Sequence, residues 1–123
     1  MVEELAGGRC TPCRGGEPTP GGPQTEELLR AVPDWRVVER VWIKRPERGF
    51  RFADSASALN FTDRAGERAE EAGHHPTLLK EWGRVTVAWW THAIGGLHRN
   101  DFVMAARTDR LYASLWEDDG PDS

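Results

Sequence analysis

A chain of 123 residues, 38% of them apolar and six of them tryptophan, holds enough material for one domain with one core. A chain of this size buries roughly two-thirds of its unfolded surface and can fold without a metal or a disulfide. The formal net charge of -4 argues against a nucleic-acid-binding protein, which presents a basic face. No apolar run approaches the roughly 20 residues that span a bilayer, and Glu3 and Glu4 stand where a secretory signal would be basic. The expectation is a cytoplasmic protein with no membrane partner.

Residues 6–23 hold six of the 13 glycines and four of the eight prolines. Such a segment buries too little apolar surface to offset its ordering entropy, so residues 1–23 read as a flexible arm. Its Cys10 and Cys13 form a C-x-x-C. Half of a zinc site, a redox pair and two incidental thiols all compete. The third is favoured, because no second ligand pair follows and glycines flank the motif on both sides. Residues 24–116 read as the folded domain and 117–123 as an acidic tail that frays.

Thr25 followed by Glu26 and Glu27 predicts an N-cap and first turn, and this helix should stop before Pro33. Trp35 to Lys44, rich in β-branched and aromatic residues, predicts a strand. Pro46 and Gly49 should interrupt it before Phe50 and Phe52 resume the alternation. Asp54 should cap a helix running to Ala72, with Ala58, Phe61, Ala65, Ala69 and Ala72 as its apolar stripe. Gly73 suits a left-handed C-terminal position. Thr77 to Trp82 and Arg84 to Thr91 predict two strands around Gly83. In the second, Val85, Val87, Trp89 and Thr91 share one face while Thr86, Ala88, Trp90 and His92 share the other. From about Arg99 to Leu115, Phe102, Val103, Ala106, Leu111 and Leu115 predict a second long amphipathic helix. The order α-β-β-α-β-β-α predicts an α+β domain, an antiparallel four-stranded sheet with three helices packed on one face.

All four histidines lie between positions 74 and 98. His74 and His75 follow the long helix and His92 ends the last strand, places from which side chains project into a cleft held by a rigid scaffold. Imidazoles both deliver and remove protons near neutrality. Three histidines with Asp101 could also bind zinc. Adjacent His74 and His75 would point apart on extended backbone, however, and there is no H-E-x-x-H. The favoured reading has no metal. His98, just before a helix, reads as a capping or packing residue.

Gly73-His74-His75-Pro76, then Trp82, Thr91-His92 and Asp101, resembles the signature of the pterin-4a-carbinolamine dehydratases at every spacing. The likeness runs over about residues 25–115, through Pro33-Asp34-Trp35 and the alanine-rich helix, and Cys10-Thr11-Pro12-Cys13 resembles a motif of bacterial members. It departs at Gly73, where many members carry an acidic or amide residue, at His98 in place of Thr or Ser, and at the bulky Trp89-Trp90 pair.

The resemblance implies a cofactor-independent lyase that dehydrates 4a-hydroxytetrahydrobiopterin to the quinonoid dihydropterin. It implies His74 and His92 as the principal acid/base pair, and His75 as a histidine that holds the pterin and assists proton transfer. Asp101 is the carboxylate paired with the cluster, while Thr91 and Trp82 shape the substrate pocket, with simple packing an equal alternative for Trp82. Glu70, one helical turn before His74, could also hydrogen-bond in the site, although a solvated helix-face glutamate is the commoner case. A homodimer or homotetramer is implied, with coupling to an aromatic amino-acid hydroxylase. A non-catalytic role on the same fold, as a dimerisation, transcriptional-coactivator or assembly module, is the alternative.

Overall fold

The computed structural model describes residues 22–91 and 97–118. The arm with Cys10 and Cys13, the loop with His92 and the last five residues lie outside the described residues. Helix α1 spans Gly22–Ala31, strands β1 and β2 span Arg36–Arg40 and Ile43–Arg51, and helix α2 spans Ser55–Ala72. Strands β3 and β4 cover Thr77–Glu81 and Arg84–Ala88, followed by helix α3, Arg99–Asp118. The strands pair antiparallel in the order β1-β2-β4-β3, giving the expected α+β order.

Four local expectations need correction. The strand predicted to run to Thr91 ends at Ala88. Helix α1 starts at Gly22 rather than at a Thr25 cap; Pro23 falls in the first turn, where its missing N–H would have had no helical partner. The predicted single strand from Trp35 to Lys44 is instead a hairpin that turns at Val41-Trp42. Both turn residues hold positive φ, 52° and 65°, the geometry of the two-residue turns that suit strand twist. Strand β2 then runs through Pro46 and Gly49. The Pro46 carbonyl accepts from Trp89 N at 3.1 Å, just past the end of β4. The ring nitrogen faces the same way, so its missing donor falls where the ladder gives out.

The register decides which face is covered. Phe50 lies opposite Val85 and Arg48 opposite Val87 on β4, whose other neighbour opposite Val87 is Leu78 of β3. Phe50, Val85 and Val87 are buried together with Ala58, Phe61, Ala65 and Ala69 of α2 and Phe102, Val103 and Ala106 of α3. The alanine stripe lets α2 approach the sheet closely, and Phe61 fills the remaining space against Phe50 at 4.8 Å between ring centroids. The residues pointing the other way include Leu79, 56% exposed. The helices therefore cover one face of the sheet.

Asp109 of α3 ties this helix to the rest. Trp35 Nε1 donates to Asp109 Oδ1 at 2.7 Å and Arg48 to the same oxygen at 2.6 Å, while Asp34 lies 3.6 Å from Arg48. Burial pushes the Asp109 carboxyl above its ordinary range, outweighing the opposing pull of Trp35 and Arg48. The Arg48 guanidinium also lies over Phe50, 4.3 Å from its centroid. This anchor fixes the middle of α3 and, with it, the start of the helix nearly three turns earlier. Among the described residues no helix is long and apolar enough to cross a membrane.

Candidate active site

The end of α2 sets the first functional side chain. Asp54 opens the helix, accepting from Ser57 N at 2.7 Å, and Gly73 closes it at φ 63°, ψ 28°. Gly73 N and His74 N return to the carbonyls of Glu70 and Ala69 at 3.2 and 3.1 Å. This is a Schellman-type closure, which satisfies the last carbonyls and reverses the chain sharply. The reversal sends His74 inward, 8% exposed, and leaves the neighbouring His75 exposed on the outside. Glycine adopts this backbone without strain, so Gly73 suits the turn.

The start of α3 supplies the partner. Asp101, fully buried, receives His74 Nε2 at 2.6 Å, Thr91 Oγ1 at 3.2 Å from both of its oxygens, and His98 N at 2.8 Å. His98 precedes the first helical residue, and its ring Nδ1 accepts from Asn100 N at 3.0 Å. Asp101 sits at the third helical position and reaches back to the cap's N–H, completing a capping box. His98 therefore caps α3, as its place in the sequence suggested.

Three donors converging on one side chain suit an ionised carboxylate, which only accepts. Imidazole Nε2 must then carry its proton toward Asp101. The other ring nitrogen, Nδ1, makes no hydrogen bond to a described residue and is the atom left to exchange a proton with a bound molecule. The buried pair supplies a fixed tautomer and an oriented base or acid.

The other candidates divide. His75 Nε2 meets Glu70 Oε1 at 3.1 Å, an exposed pair with side chains 56% and 79% accessible. The two adjacent histidines thus diverge, one onto buried Asp101 and the other onto Glu70. Thr91, 2% exposed, stands beside Asp101. Trp82 is not brought to this cluster: it sits in the β3–β4 turn, 70% exposed, at the opposite end of β3 from Thr77 and the histidine pair. His92 lies outside the described residues, and of its position nothing is described.

Of the two bulky tryptophans before Thr91, Trp89 is fully buried and stacks on the His74 ring, with centroids 5.8 Å apart and planes 15° from parallel. Trp90 is half-buried beneath the Arg45 guanidinium, 5.1 Å from its centroid. Strand alternation placed Trp89 on the face of Thr91, but nothing in the sequence signalled its contact with His74. Elsewhere a polar cleft of about 310 Å³ is lined by Asp34, Arg36, Glu47, Arg48, Gly49 and Arg84. It contains none of the candidate residues and no imidazole. Among the described residues no group of three or more His, Cys, Asp or Glu could hold a metal ion.

Comparison with known proteins agrees with the motif. A family profile described as Pterin 4 alpha carbinolamine dehydratase matches residues 22–111. A protein of Gloeobacter violaceus named for this dehydratase activity is 55% identical over 107 residues, 87% of this chain and 92% of its own length. A similarly named protein of Nitrosococcus oceani is 48% identical over 89% of this chain and 97% of its own. Among solved structures, a transcriptional coactivator/pterin dehydratase from Brucella melitensis superposes with a TM-score of 0.69 at 27% identity, covering 77% of this chain and 99% of that one. A pterin dehydratase-like RuBisCO assembly factor of the alpha-carboxysome shares the fold at a TM-score of 0.55 and 24% identity, over 64% and 89% of the two chains. With the profile spanning most of the domain and near relatives at about half identity, the chain belongs to the pterin-4a-carbinolamine dehydratase family of hydro-lyases.

Proposed function

We propose that this chain dehydrates 4a-hydroxytetrahydrobiopterin to the quinonoid dihydropterin, as a cytoplasmic enzyme of tetrahydrobiopterin recycling downstream of an aromatic amino-acid hydroxylase. The C4a–O bond breaks and the hydroxyl leaves as water with a proton from a general acid. A ring nitrogen gives its proton to a general base, so the sum is loss of one water. Both transfers call for groups that titrate near neutral pH, and neither requires a redox cofactor or a metal.

His74 and His92 are the acid/base pair in this reading. His74 exchanges its proton through Nδ1 while Asp101 holds Nε2, and Thr91 helps fix that carboxylate. His75, steadied by Glu70, contacts the pterin. The observation that carries the proposal is the buried 2.6 Å contact between His74 and Asp101, which leaves a single oriented nitrogen for substrate. His92 enters from the motif alone, and Trp82 has the weakest claim, given its place at the far turn.

The test is dehydration of chemically generated 4a-hydroxytetrahydropterin by the wild type and His74→Ala, against a reaction without protein. Acceleration that survives a chelator and falls at least tenfold in the variant is expected, the scale of a general acid/base. A rate no higher than the spontaneous one would leave the binding-module role in its place.

A self-associating protein, dimer or tetramer, is part of the same proposal. Strands β1 and β3 are both sheet edges, which invite pairing. Val41 and Trp42 at the β1–β2 tip are 84% and 90% exposed. Sedimentation of the full chain that finds only monomer at micromolar concentration would refute this part.

A further inference from the structure

The His74 imidazole is held at two places, and only one of them belongs to the motif. Asp101 fixes the ring at Nε2. A single hydrogen bond leaves the ring free to rock about the Nε2–Oδ1 direction, and rocking would swing Nδ1 away from any one substrate geometry. The Trp89 indole stacks beside the imidazole in an offset arrangement, centroids 5.8 Å apart and planes 15° from parallel, and opposes that motion.

Trp89 is itself fixed. It is 0% exposed, its Nε1 donates to Thr108 Oγ1 at 3.1 Å, and the Thr108 hydroxyl donates to the Met104 carbonyl at 2.6 Å. Thr108 and Asp101 are seven residues apart, two turns along one face of α3. One helix face thus supplies both restraints, the first through a carboxylate and the second through a hydroxyl that orients an indole.

We propose that Trp89 is a positioning residue for the dehydration reaction, holding the His74 ring plane so that Nδ1 meets the pterin in a fixed direction. This rests on the reading in which His74 transfers a proton. Trp89 is fully buried, so its effect passes through the imidazole. Its loss therefore lowers kcat and leaves KM nearly unchanged, because a misdirected catalytic group loses near-attack geometry rather than binding.

The experiment is a set of variants in the full chain: Trp89→Leu, Trp89→Phe, Thr108→Val, His74→Ala and the double variant His74→Ala/Trp89→Leu. Each is assayed for kcat and KM and for its urea midpoint. Trp89→Leu is expected to lose about tenfold or more in kcat with KM within about twofold. Trp89→Phe, which keeps a flat ring, should recover most of that loss. Thr108→Val, which frees the indole N–H, should fall between. The double variant should be no slower than His74→Ala alone, since residues acting through one group are not additive.

A folded Trp89→Leu with unchanged kcat overturns the proposal. So does a loss that Trp89→Phe does not rescue, or one that adds in full to that of His74→Ala. Should Trp89→Leu not fold, the cycle of Thr108→Val with His74→Ala decides on the same criterion. Wild-type turnover in His74→Ala defeats the proton-transfer reading itself, an outcome distinct from a silent Trp89 variant beside an impaired His74→Ala.

Discussion

Replacing Asp101 by asparagine preserves the shape of the side chain and halves its capacity to accept. In the native chain both oxygens are committed: Oδ1 to His74 Nε2 at 2.6 Å, Oδ2 to His98 N at 2.8 Å, with Thr91 Oγ1 3.2 Å from each. The amide has two ways to sit. With its oxygen toward His74, its NH₂ confronts the His98 N–H, and α3 loses the acceptor that completes its cap. With its NH₂ toward His74, Nε2 must become the acceptor and the ring proton moves to Nδ1, the nitrogen left for substrate. The first arrangement damages the fold and the second the chemistry. A hydrogen bond to a charged group is worth about 1.5–3 kcal/mol, so Asp101→Asn should lower stability by about 2 kcal/mol. With a denaturant slope of about 1–2 kcal/mol per molar, the urea midpoint falls by about 1–2 M. Turnover should drop at least ~100-fold, since a wrongly protonated imidazole cannot take the proton it is placed to take. Urea unfolding followed by tryptophan fluorescence and the dehydration assay read the two effects separately. Turnover within about threefold of wild type with an unchanged midpoint would refute both the capping box and the tautomer argument.

Gly73→Ala should cost about 1 kcal/mol, because the position holds φ 63°. Open space surrounds a side chain there, so the penalty is purely conformational, and Gly73→Asn, which tolerates this backbone, should lie closer to wild type in both urea midpoint and turnover. For Asp109, burial raises the carboxyl above its ordinary 3.8, so just above that pH the folded chain binds more protons here than the unfolded one. Stability contributed by this group is therefore fully present below 3.8 and is lost as pH rises through the raised value. Relative to Asp109→Asn, which does not titrate, the wild type should lose stability across that window in urea titrations at stepped pH. A difference that grows in favour of the wild type would reverse the sign and sink the argument. At the β1–β2 tip, the double change Val41→Asn/Trp42→Gly installs residues that favour the left-handed region and should stabilise the monomeric fold by about 1–2 kcal/mol. A lower urea midpoint in that variant would show that the tip owes its conformation to packing instead.

Much of the fold was legible because burial here follows simple periods. The alternation read over 85–91 put Val85, Val87, Trp89 and Thr91 on one face, and all four are buried, although β4 ends at Ala88 and Ala88 is buried too. The alanine stripe of α2 marked the helix side that meets the sheet. The hairpin was missed because Val41-Trp42 carries no turn chemistry: neither residue favours the backbone it adopts. Pro46 and Gly49 carried strong breaking signals and yet lie inside β2, since the proline's missing donor points past the end of β4. These are failures of local preference against tertiary context, the expected weakness of propensity arguments. Asp109 was invisible for another reason. A carboxylate in an amphipathic helix reads as solvated until Trp35 and Arg48, far away in sequence, arrive at its oxygen.

The site shows a sharper division. The resemblance to the dehydratase signature nominated His74 with Asp101, and the two meet. The same resemblance nominated Trp82, which the fold places at the other end of its strand. What no spacing could give is that Asp101 has two duties. As the third residue of α3 it accepts the N–H of the cap, where a carboxylate is favoured by both the capping box and the helix dipole. With its remaining oxygen it holds the imidazole. The helix cannot start in this way without presenting a fixed, desolvated carboxylate, and that carboxylate sits where the reversal at Gly73 delivers His74. The geometry of the His74–Asp101 pair is thus a by-product of how two helices end and begin. Thr108, two turns along the same helix, extends the arrangement by steadying the indole that lies on the ring. Changes to this face of α3 should therefore couple stability to turnover, whereas changes at the open face of the sheet should leave the imidazole undisturbed.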